Sequence, residues 1–188
     1  MIVVENHTSN NEPVEVYTDG SCTNNGDMDA QAGAGYWFGE GDARNGYLRV
    51  PSNIEQSNNA GELAAILKVI QLVHTDATLI IRTDSQHAID GIITHRARHE
   101  GRGWIDIANR DLFQAIISRL RQRKGKTYLS KVKGHSGDTG NDAADELAKL
   151  GAEKPDNSDT LDISIPEEYR IEGANLQALS QALFYRGI

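Results

Sequence analysis

The chain has 188 residues, of which 38% are hydrophobic and 24% charged, a composition typical of a soluble globular protein and too apolar for wholesale disorder. Its formal net charge of −8 argues, taken alone, against a polyanionic partner. No apolar run is long enough to cross a membrane, no secretion signal is recognisable, and a single cysteine, Cys22, excludes an internal disulfide framework. We therefore expect a monomeric protein of the cytoplasm or nucleus.

The charge is unevenly distributed along the chain. Residues 92–134 contain eleven Lys and Arg residues against three acidic ones, although the whole chain is acidic. A basic segment in an acidic protein is typical of nucleic-acid binding, and a solvated helix face is an equal alternative on charge alone.

The predicted elements begin after a polar tail (residues 1–12), which we expect to be flexible. Three short strands follow, the first running from Val14 into the T-D-G-S turn and the others covering residues 34–38 and 46–51. Their short connections predict an antiparallel meander. Apolar residues at helical spacing predict a helix over residues 58–74, and the apolar run 77–83 predicts a buried strand parallel to the first.

The second half of the chain continues this alternation. A helix is predicted from Asp84 to Ile93, then a basic excursion (95–104), a helix (109–123), a strand (127–132) and a helix (141–151). This order predicts an α/β fold with a five-stranded mixed sheet, three antiparallel strands followed by parallel ones, flanked by helices. The domain spans residues 13–151.

The composition changes after this domain. Residues 152–173 are predicted to be an acidic linker, and residues 174–188 an amphipathic C-terminal helix. This helix either docks on the domain or binds another domain or protein.

Four carboxylates share a placement next to the predicted strand ends. Asp19 and Asp84 end neighbouring strands, Glu62 lies in the first turn of the helix between them, and Asp145 lies one turn into the last helix. Sites in open α/β sheets form at the carboxyl ends of strands. Crowded carboxylates repel one another, and oxygen ligands favour Mg²⁺ or Mn²⁺ over Zn²⁺. Two such ions, about 4 Å apart, can activate a water and stabilise the leaving oxygen of a phosphodiester.

Each of these side chains also has a structural interpretation. Asp-Gly at Asp19 is a common turn, Glu62 suits a helix dipole, and Asp84-Ser85 is a plausible N-cap. Asp145 has the spacing for an ion pair with Lys149. Asn141 and Asp142 are interpreted as capping residues, and an exposed polar residue is an alternative for His135.

Four motifs occur in order along the chain: Y-T-D-G-S-C (17–22), S-N-N-A-G-E-L (57–63), R-T-D-S-Q (82–86), and V-K-G-H-S-G followed by G-N-D-A-A-D-E-L-A (132–148). As an ordered set they resemble the type 1 ribonuclease H family over roughly residues 13–151. The resemblance implies a ribonuclease H-like fold. It also implies an endoribonuclease that uses two Mg²⁺ ions, with Mn²⁺ as a possible substitute, to hydrolyse the RNA strand of RNA–DNA hybrids, leaving 5′-phosphate and 3′-hydroxyl ends.

The resemblance assigns roles to individual residues. It implies that Asp19, Glu62, Asp84 and Asp145 are catalytic and bind the metal ions, and that His135 assists proton transfer or product release. The substrate contacts that it implies are Gly20, Ser21, Cys22, Asn25, Ser57, Asn58, Asn59, Gln86 and Asn109. Contacts with 2′-hydroxyls are what distinguish RNA from DNA. For Cys22, a buried small side chain is an equal alternative.

The sequence also departs from the family pattern. Glu55 stands where eukaryotic relatives place an arginine of a DNA-phosphate pocket, and His95 and His99 stand where relatives carry tryptophans. These changes predict a weaker grip on the DNA strand, with salt-sensitive contacts from Arg96, Arg98 and Arg102.

The finer relationship and two other functions stay open. The loop after Thr23 resembles eukaryotic members more than bacterial ones, and the C-terminal segment is similar to endings in fungal and retroelement-encoded relatives. The alternative functions are a non-catalytic hybrid-binding or scaffold module and the nuclease domain of a reverse transcriptase.

Overall fold

Five strands form one mixed sheet in the order β3-β2-β1-β4-β5. The strands are β1 (Val14–Thr23), β2 (Gln31–Trp37), β3 (Gly46–Arg49), β4 (Leu79–Thr83) and β5 (Thr127–Lys131). The structure, a computed structural model, describes residues 12–134, 137–155 and 159–170. The predicted C-terminal helix and all but the last residue of the predicted N-terminal tail lie outside these ranges.

The strand directions agree with the sequence prediction. β1, β2 and β3 form an antiparallel meander, while β4 runs parallel to β1 and β5 runs parallel to β4. The predicted α/β fold class is therefore confirmed. Within the described ranges, no helix combines the length and hydrophobicity that crossing a bilayer requires.

The strand β1 extends further than the sequence predicts. Asp19 is expected to end it, but β1 continues to Thr23 because Gly20–Thr23 pair with β2. On its other side β1 pairs with β4 only as far as Thr18, which lies opposite Thr83. Asp19 is thus the first residue of β1 beyond its parallel pairing with β4, at the carboxyl end of that pairing.

The helices are α1 (Asn58–Leu72), α2 (Gln86–Ile89), α3 (Arg96–Gly101), α4 (Arg110–Gln122) and α5 (Thr139–Glu153). A π-helical turn (Asp90–Thr94) joins α2 to α3, and a 3₁₀ turn covers Glu167–Tyr169. α1 packs on one face of the sheet together with α4, and α5 packs on the other face against β1, β2 and β3.

Side-chain caps fix where three of these helices begin. Ser57 accepts a hydrogen bond from the Ala60 N–H (3.2 Å) at the start of α1, and Ser85 rather than Asp84 caps α2. Asp138, not Asn141, caps α5. Asn141 is instead the third residue of α5, and its side chain is buried.

The described part of the predicted acidic linker packs on the domain. α5 continues two residues past Gly151 to Glu153. Asp159 then accepts hydrogen bonds from the Arg49 backbone N–H and from Lys154 Nζ, both at 2.7 Å. Leu161 is only 8% exposed and belongs to the hydrophobic core. We call residues 159–165 the strap. Its apolar residues bury surface that a free linker would leave in water.

Candidate active site

A close contact between β1 and α1 brings the first two acids together. A Cβ added to Gly20 would lie 2.1 Å from the Glu62 backbone nitrogen, so only glycine allows the helix to approach the strand this closely. Asp19 precedes this glycine. Glu62 is the fifth residue of α1, past the first turn in which the sequence places it, because α1 begins at Asn58.

Asp84 completes a cluster of three acids at the edge of the sheet. One carboxylate oxygen from each of Asp19, Glu62 and Asp84 lies within 4.8 Å of the others. Asp19 and Glu62 are 7% and 8% exposed. Asp84 directly follows β4, which ends beside β1, so the sheet topology explains why these residues meet.

The cluster is electrostatically strained when it holds no cation. Burial, reinforced by the charge of Asp84, raises the pKa of the Asp19 carboxyl to about 6, although the Gly20 N–H donates to it at 2.7 Å. Burial also raises the pKa of Glu62 well above its usual range, and Asp19 and Asp84 add to this effect. Burial and mutual repulsion therefore disfavour the charged forms of both carboxyls when no cation is bound.

The Glu62 side chain also has an oxygen without a partner. Its Oε2 is buried, and no described protein group hydrogen-bonds to it. A buried carboxylate oxygen without a donor is unfavourable, and a divalent cation among three carboxylates would satisfy it. The donor set is oxygen only, so the residues present fit Mg²⁺ or Mn²⁺.

Asp145, the fourth predicted acid, lies next to the cluster but is paired with a lysine. Its Oδ2 accepts a hydrogen bond from Lys149 Nζ at 2.6 Å. The hydrogen bond with Asp145 and the charge of Asp145 raise the pKa of Lys149, with a smaller contribution from Asp19. The charge of Asp145 also adds a small contribution to the raised pKa of Asp19, which is due mainly to burial. The Asp145–Lys149 ion pair, which the sequence allows as an alternative to metal binding by Asp145, is therefore present. It lies beside the cluster of Asp19, Glu62 and Asp84.

The loop that carries His135 begins at the cluster. His135 itself lies outside the described residues. Gly134, the residue before it, approaches Asp84 so closely that a Cβ would lie 2.4 Å from the Asp84 Oδ2. Asp138 ends the loop by capping α5.

Several predicted substrate contacts surround the start of α1. Asn25 Oδ1 accepts a hydrogen bond from the Asn58 backbone N–H at 3.3 Å, which joins the β1–β2 loop to α1. The Asn58 and Asn59 side chains are exposed, whereas Ser57 uses its hydroxyl as a cap. The other predicted contacts here, Gly20, Ser21 and Cys22, are partly buried residues of the last part of β1.

Gln86, on the other side of Asp84, makes two side-chain hydrogen bonds. Its Oε1 accepts from Lys131 Nζ at 2.6 Å, and its Nε2 donates to Asp90 Oδ1 at 3.0 Å. Lys131 was not among the predicted site residues, although it contacts Gln86 here. Its position in the sequence could have identified it, because Lys131 lies near the carboxyl end of a predicted strand, where sites in open α/β sheets form.

Asn109 lies apart from the acids, in a pocket of about 340 Å³ that also includes Glu55 and Arg110. The Asn109 backbone is left-handed (φ 55°), and its buried Oδ1 has no partner among the described residues. Two further acids, Asp106 and Asp111, line the pocket. Three carboxylates against one arginine make this pocket unfavourable for a phosphate.

Much of the basic segment has a structural role. Arg119 pairs with Asp162 of the strap, and Arg121 pairs with Glu100 at 2.6 Å. The Arg123 guanidinium donates to the carbonyl oxygens of residues 73 and 77. The side chains of residues 96 and 98 are exposed, so α3 presents part of the positive charge to solvent.

His99 is a packing residue rather than a stacking surface for a ligand. It is 9% exposed and contacts Trp104 edge to face, with ring centroids 5.6 Å apart. Burial lowers its pKa, and the neighbouring positive charges lower it further. His95 is partly exposed beside it, at 5.8 Å between ring centroids.

Comparisons with known proteins agree with this geometry. The sequence profile of the RNase H family matches residues 11–153. Ribonuclease H of Schizosaccharomyces pombe is 38% identical over 143 residues, which cover 73% of this chain and 52% of the yeast protein. Human ribonuclease H1 is 34% identical over 150 residues, covering 77% of this chain and 51% of the human protein.

A solved structure shares the fold. LC9-RNase H1, described as a type 1 RNase H with the type 2 active-site motif, aligns with a TM-score of 0.60 at 25% identity, over 73% of this chain and 71% of that one. The chain spans about half the length of the yeast and human relatives. The profile covers most of the chain and includes all four acids, so the chain belongs to the type 1 ribonuclease H family.

Proposed function

We propose that this chain is an endoribonuclease that hydrolyses the RNA strand of RNA–DNA hybrids. The observation that carries the proposal is the cluster of Asp19, Glu62 and Asp84, whose carboxylate oxygens lie within 4.8 Å of one another. Three acids brought together from β1, α1 and the end of β4 are unfavourable without a cation, so their juxtaposition points to metal-dependent chemistry.

Asp19, Glu62, Asp84 and Asp145 would hold two Mg²⁺ ions, or Mn²⁺ in their place. When bound, such ions activate a water and stabilise the leaving 3′-oxygen, which leaves a 5′-phosphate. Asp19, whose carboxylate lies within 4.8 Å of those of Glu62 and Asp84, would help to hold both ions. Asp145 would have to leave its hydrogen bond with Lys149 in order to contribute.

Two other groups of residues would support the reaction. His135 would assist proton transfer or product release, and the contact of Gly134 with Asp84 supports its placement near the acids. Asn25, Asn58 and Asn59 would contact the hybrid at the start of α1, where amide groups suit recognition of 2′-hydroxyls. Gln86 would contact it on the other side of Asp84.

The remaining proposed substrate contacts differ from one another in the groups that they offer to the hybrid. Gly20, Ser21, Cys22 and Ser57 would meet the substrate mainly through backbone and small side chains. Asn109 would meet it through the pocket that it shares with Glu55, where the acids predict weak binding of a DNA phosphate. We also propose a monomer in the cytoplasm or nucleus, because three clustered acids come from one chain and the single cysteine is free.

The test is cleavage of matched RNA–DNA, RNA–RNA and DNA–DNA duplexes, with Mg²⁺ and with a chelator. We expect cleavage of the hybrid alone, in its RNA strand and only with metal. Asp84→Asn should abolish cleavage while largely preserving binding. Glu146→Gln, at an exposed acid of α5, should leave cleavage unchanged.

Two outcomes would contradict the proposal. Turnover by Asp84→Asn at the wild-type rate would exclude the metal-dependent mechanism. Tight binding of the hybrid by the wild-type protein without any cleavage would favour the non-catalytic module instead.

A further inference from the structure

Lys131 stands at the carboxyl end of the sheet, beside the strand that leads to Asp84. It is the last residue of β5, and it lies in register opposite Thr83, the residue immediately before Asp84. β5 is an edge strand, so one side of it is not covered by another strand. Neighbouring strands in a sheet lie about 4.8 Å apart. The Lys131 backbone is therefore about this far from the backbone of Thr83, which immediately precedes Asp84 of the acid cluster.

The Lys131 ammonium contacts an amide and not a carboxylate. Its Nζ donates to Gln86 Oε1 at 2.6 Å, and the side chain is exposed. Among the described residues, no carboxylate oxygen forms an ion pair with it. Arg119, Arg121 and Lys124 of the same basic segment are each paired with an acid. Lys131 therefore keeps its charge available for a ligand at the site.

We propose that Lys131 and Gln86 form a phosphate-binding subsite for the strand that is cleaved, contacting a phosphodiester next to the one held at Asp19, Glu62 and Asp84. The inference rests on the proposed function, since it takes the acid cluster to hold the reacting phosphate. It adds Lys131 as a substrate-binding residue and assigns to Gln86 the binding of a phosphate.

The donors of the two side chains support this assignment. An ammonium has three N–H donors, and the contact with Gln86 uses one of them. Gln86 Nε2 uses one of its two N–H donors on Asp90 and keeps the other. The remaining donors lie together, because the two side chains are hydrogen-bonded to each other, and a polyanionic strand gains from positive charge beside the acids.

The spacing also favours a neighbouring phosphate of the same strand. Phosphates follow one another at about 3.4 Å of helix rise along a strand. Because Lys131 is one β-strand away from Asp84 and has a flexible four-carbon stem, it would reach a phosphate that neighbours the reacting one along the same nucleic-acid strand.

The experiment measures binding of an RNA–DNA hybrid by the full chain in chelator, so that no cleavage occurs, at several salt concentrations. The variants are Lys131→Met, Lys131→Arg and Gln86→Leu. Lys126→Met is the matched control, since Lys126 is an exposed lysine just before the opposite end of β5. Binding is measured for the unmodified hybrid and for a series of hybrids in which one uncharged methylphosphonate linkage is moved step by step along the RNA strand.

We expect Lys131→Met to weaken binding of the unmodified hybrid roughly tenfold, as for loss of a charge-assisted hydrogen bond. The slope of log K against log salt should fall by about 0.9. Lys131→Arg should retain most of the affinity, and Lys126→Met should match the wild type. The wild type should lose affinity at one linkage beside the cleavage position, and Lys131→Met should be insensitive at that linkage alone.

Three results would overturn the inference. One is an unchanged salt slope for Lys131→Met, and another is an equal loss from Lys126→Met. The third is a Lys131→Met variant that responds to every linkage as the wild type does, since Lys131 would then act only by long-range attraction. Cleavage of the unmodified hybrid in Mg²⁺ by the same wild-type preparation tests the proposed function separately, so failure of one can be told from failure of the other.

Discussion

Gly20 of β1 and Glu62 of α1 are in such close contact that a Cβ on Gly20 would lie 2.1 Å from the Glu62 backbone nitrogen. This contact places the Glu62 carboxylate beside Asp19, where both side chains are almost completely buried. The geometry of the acid cluster therefore depends on a residue that contributes no functional group of its own.

Gly20→Ala should consequently damage both stability and the site. Atoms of the helix backbone cannot move aside as a side chain can, so we expect a loss of roughly 1–3 kcal/mol or more in the free energy of unfolding, together with weaker Mg²⁺ binding. Denaturant unfolding and calorimetric titration with Mg²⁺ measure the two effects.

Gly46→Ala serves as the control for this prediction. A Cβ at Gly46 would meet the ring of Tyr36, with 2.8 Å to its hydroxyl oxygen, and that ring can shift. Gly46→Ala should lower the free energy of unfolding less than Gly20→Ala does, and it should leave Mg²⁺ binding unchanged. Equal effects of the two substitutions would show that the contact with α1 has no special role.

The raised pKa of Asp19 predicts how stability depends on pH when no metal is bound. The pKa is about 6 in the folded protein against 3.8 for an unperturbed aspartate, so the folded state holds more protons between these values. The free energy of unfolding should fall as pH rises from about 4 to about 6, by up to roughly 3 kcal/mol from this group.

Asp19→Asn should remove this loss. In chelator, the stability of the variant relative to the wild type should increase across the same pH interval and stay constant above it. Saturating Mg²⁺ should suppress the fall in wild-type stability between about pH 4 and 6, because the cation stabilises the Asp19 carboxylate. Urea unfolding from pH 4 to 8 provides the measurement, and a difference that does not vary with pH would show that the Asp19 pKa is not raised.

Lys149→Met should tighten divalent-cation binding rather than unfold the protein. The pair with Asp145 is partly exposed and spaced i,i+4, so its loss should change stability by only about 0.3–0.5 kcal/mol. Removing a positive charge beside the acids should increase Mg²⁺ affinity roughly two- to tenfold, as expected for a repulsion of about 1 kcal/mol.

Calorimetric titration with Mg²⁺ measures this affinity directly, and Lys126→Met provides a variant with the same loss of charge at a distant position. If the Lys149 and Lys126 variants bind Mg²⁺ equally, the ammonium at Lys149 does not compete with the cation for Asp145.

Leu161→Ala tests whether the strap is part of the folded domain. Leu161 is 8% exposed within the core, so its truncation should lower the free energy of unfolding by about 2–3 kcal/mol. Leu150→Ala, at a leucine that is 48% exposed, should stay within about 0.5 kcal/mol of the wild type. Thermal or urea unfolding compares them, and a silent Leu161→Ala would mean that the strap does not contribute to the core.

Local patterns account for most of the fold prediction. The meander follows from short connections between strands, and the crossover to β4 follows from a helical period between two apolar runs. Both depend on residues close together in the chain. The ends of the elements are less well predicted, because pairing with β2 extends β1 past Asp19, and Asp138 begins α5 before Asn141.

The sequence by itself determined the order of the strands, the motifs that carry the four acids, and the meeting of Asp19 with Asp84 at one edge of the sheet. The spacing of Asp145 allowed either a metal ligand or an ion pair with Lys149, and the tertiary structure shows that this ion pair forms. Only the tertiary structure decided that Lys131 contacts Gln86 and that the strap packs on the core. Such contacts depend on where side chains end after the elements have packed, since residues 45 positions apart, as Gln86 and Lys131 are, show no common pattern in the chain.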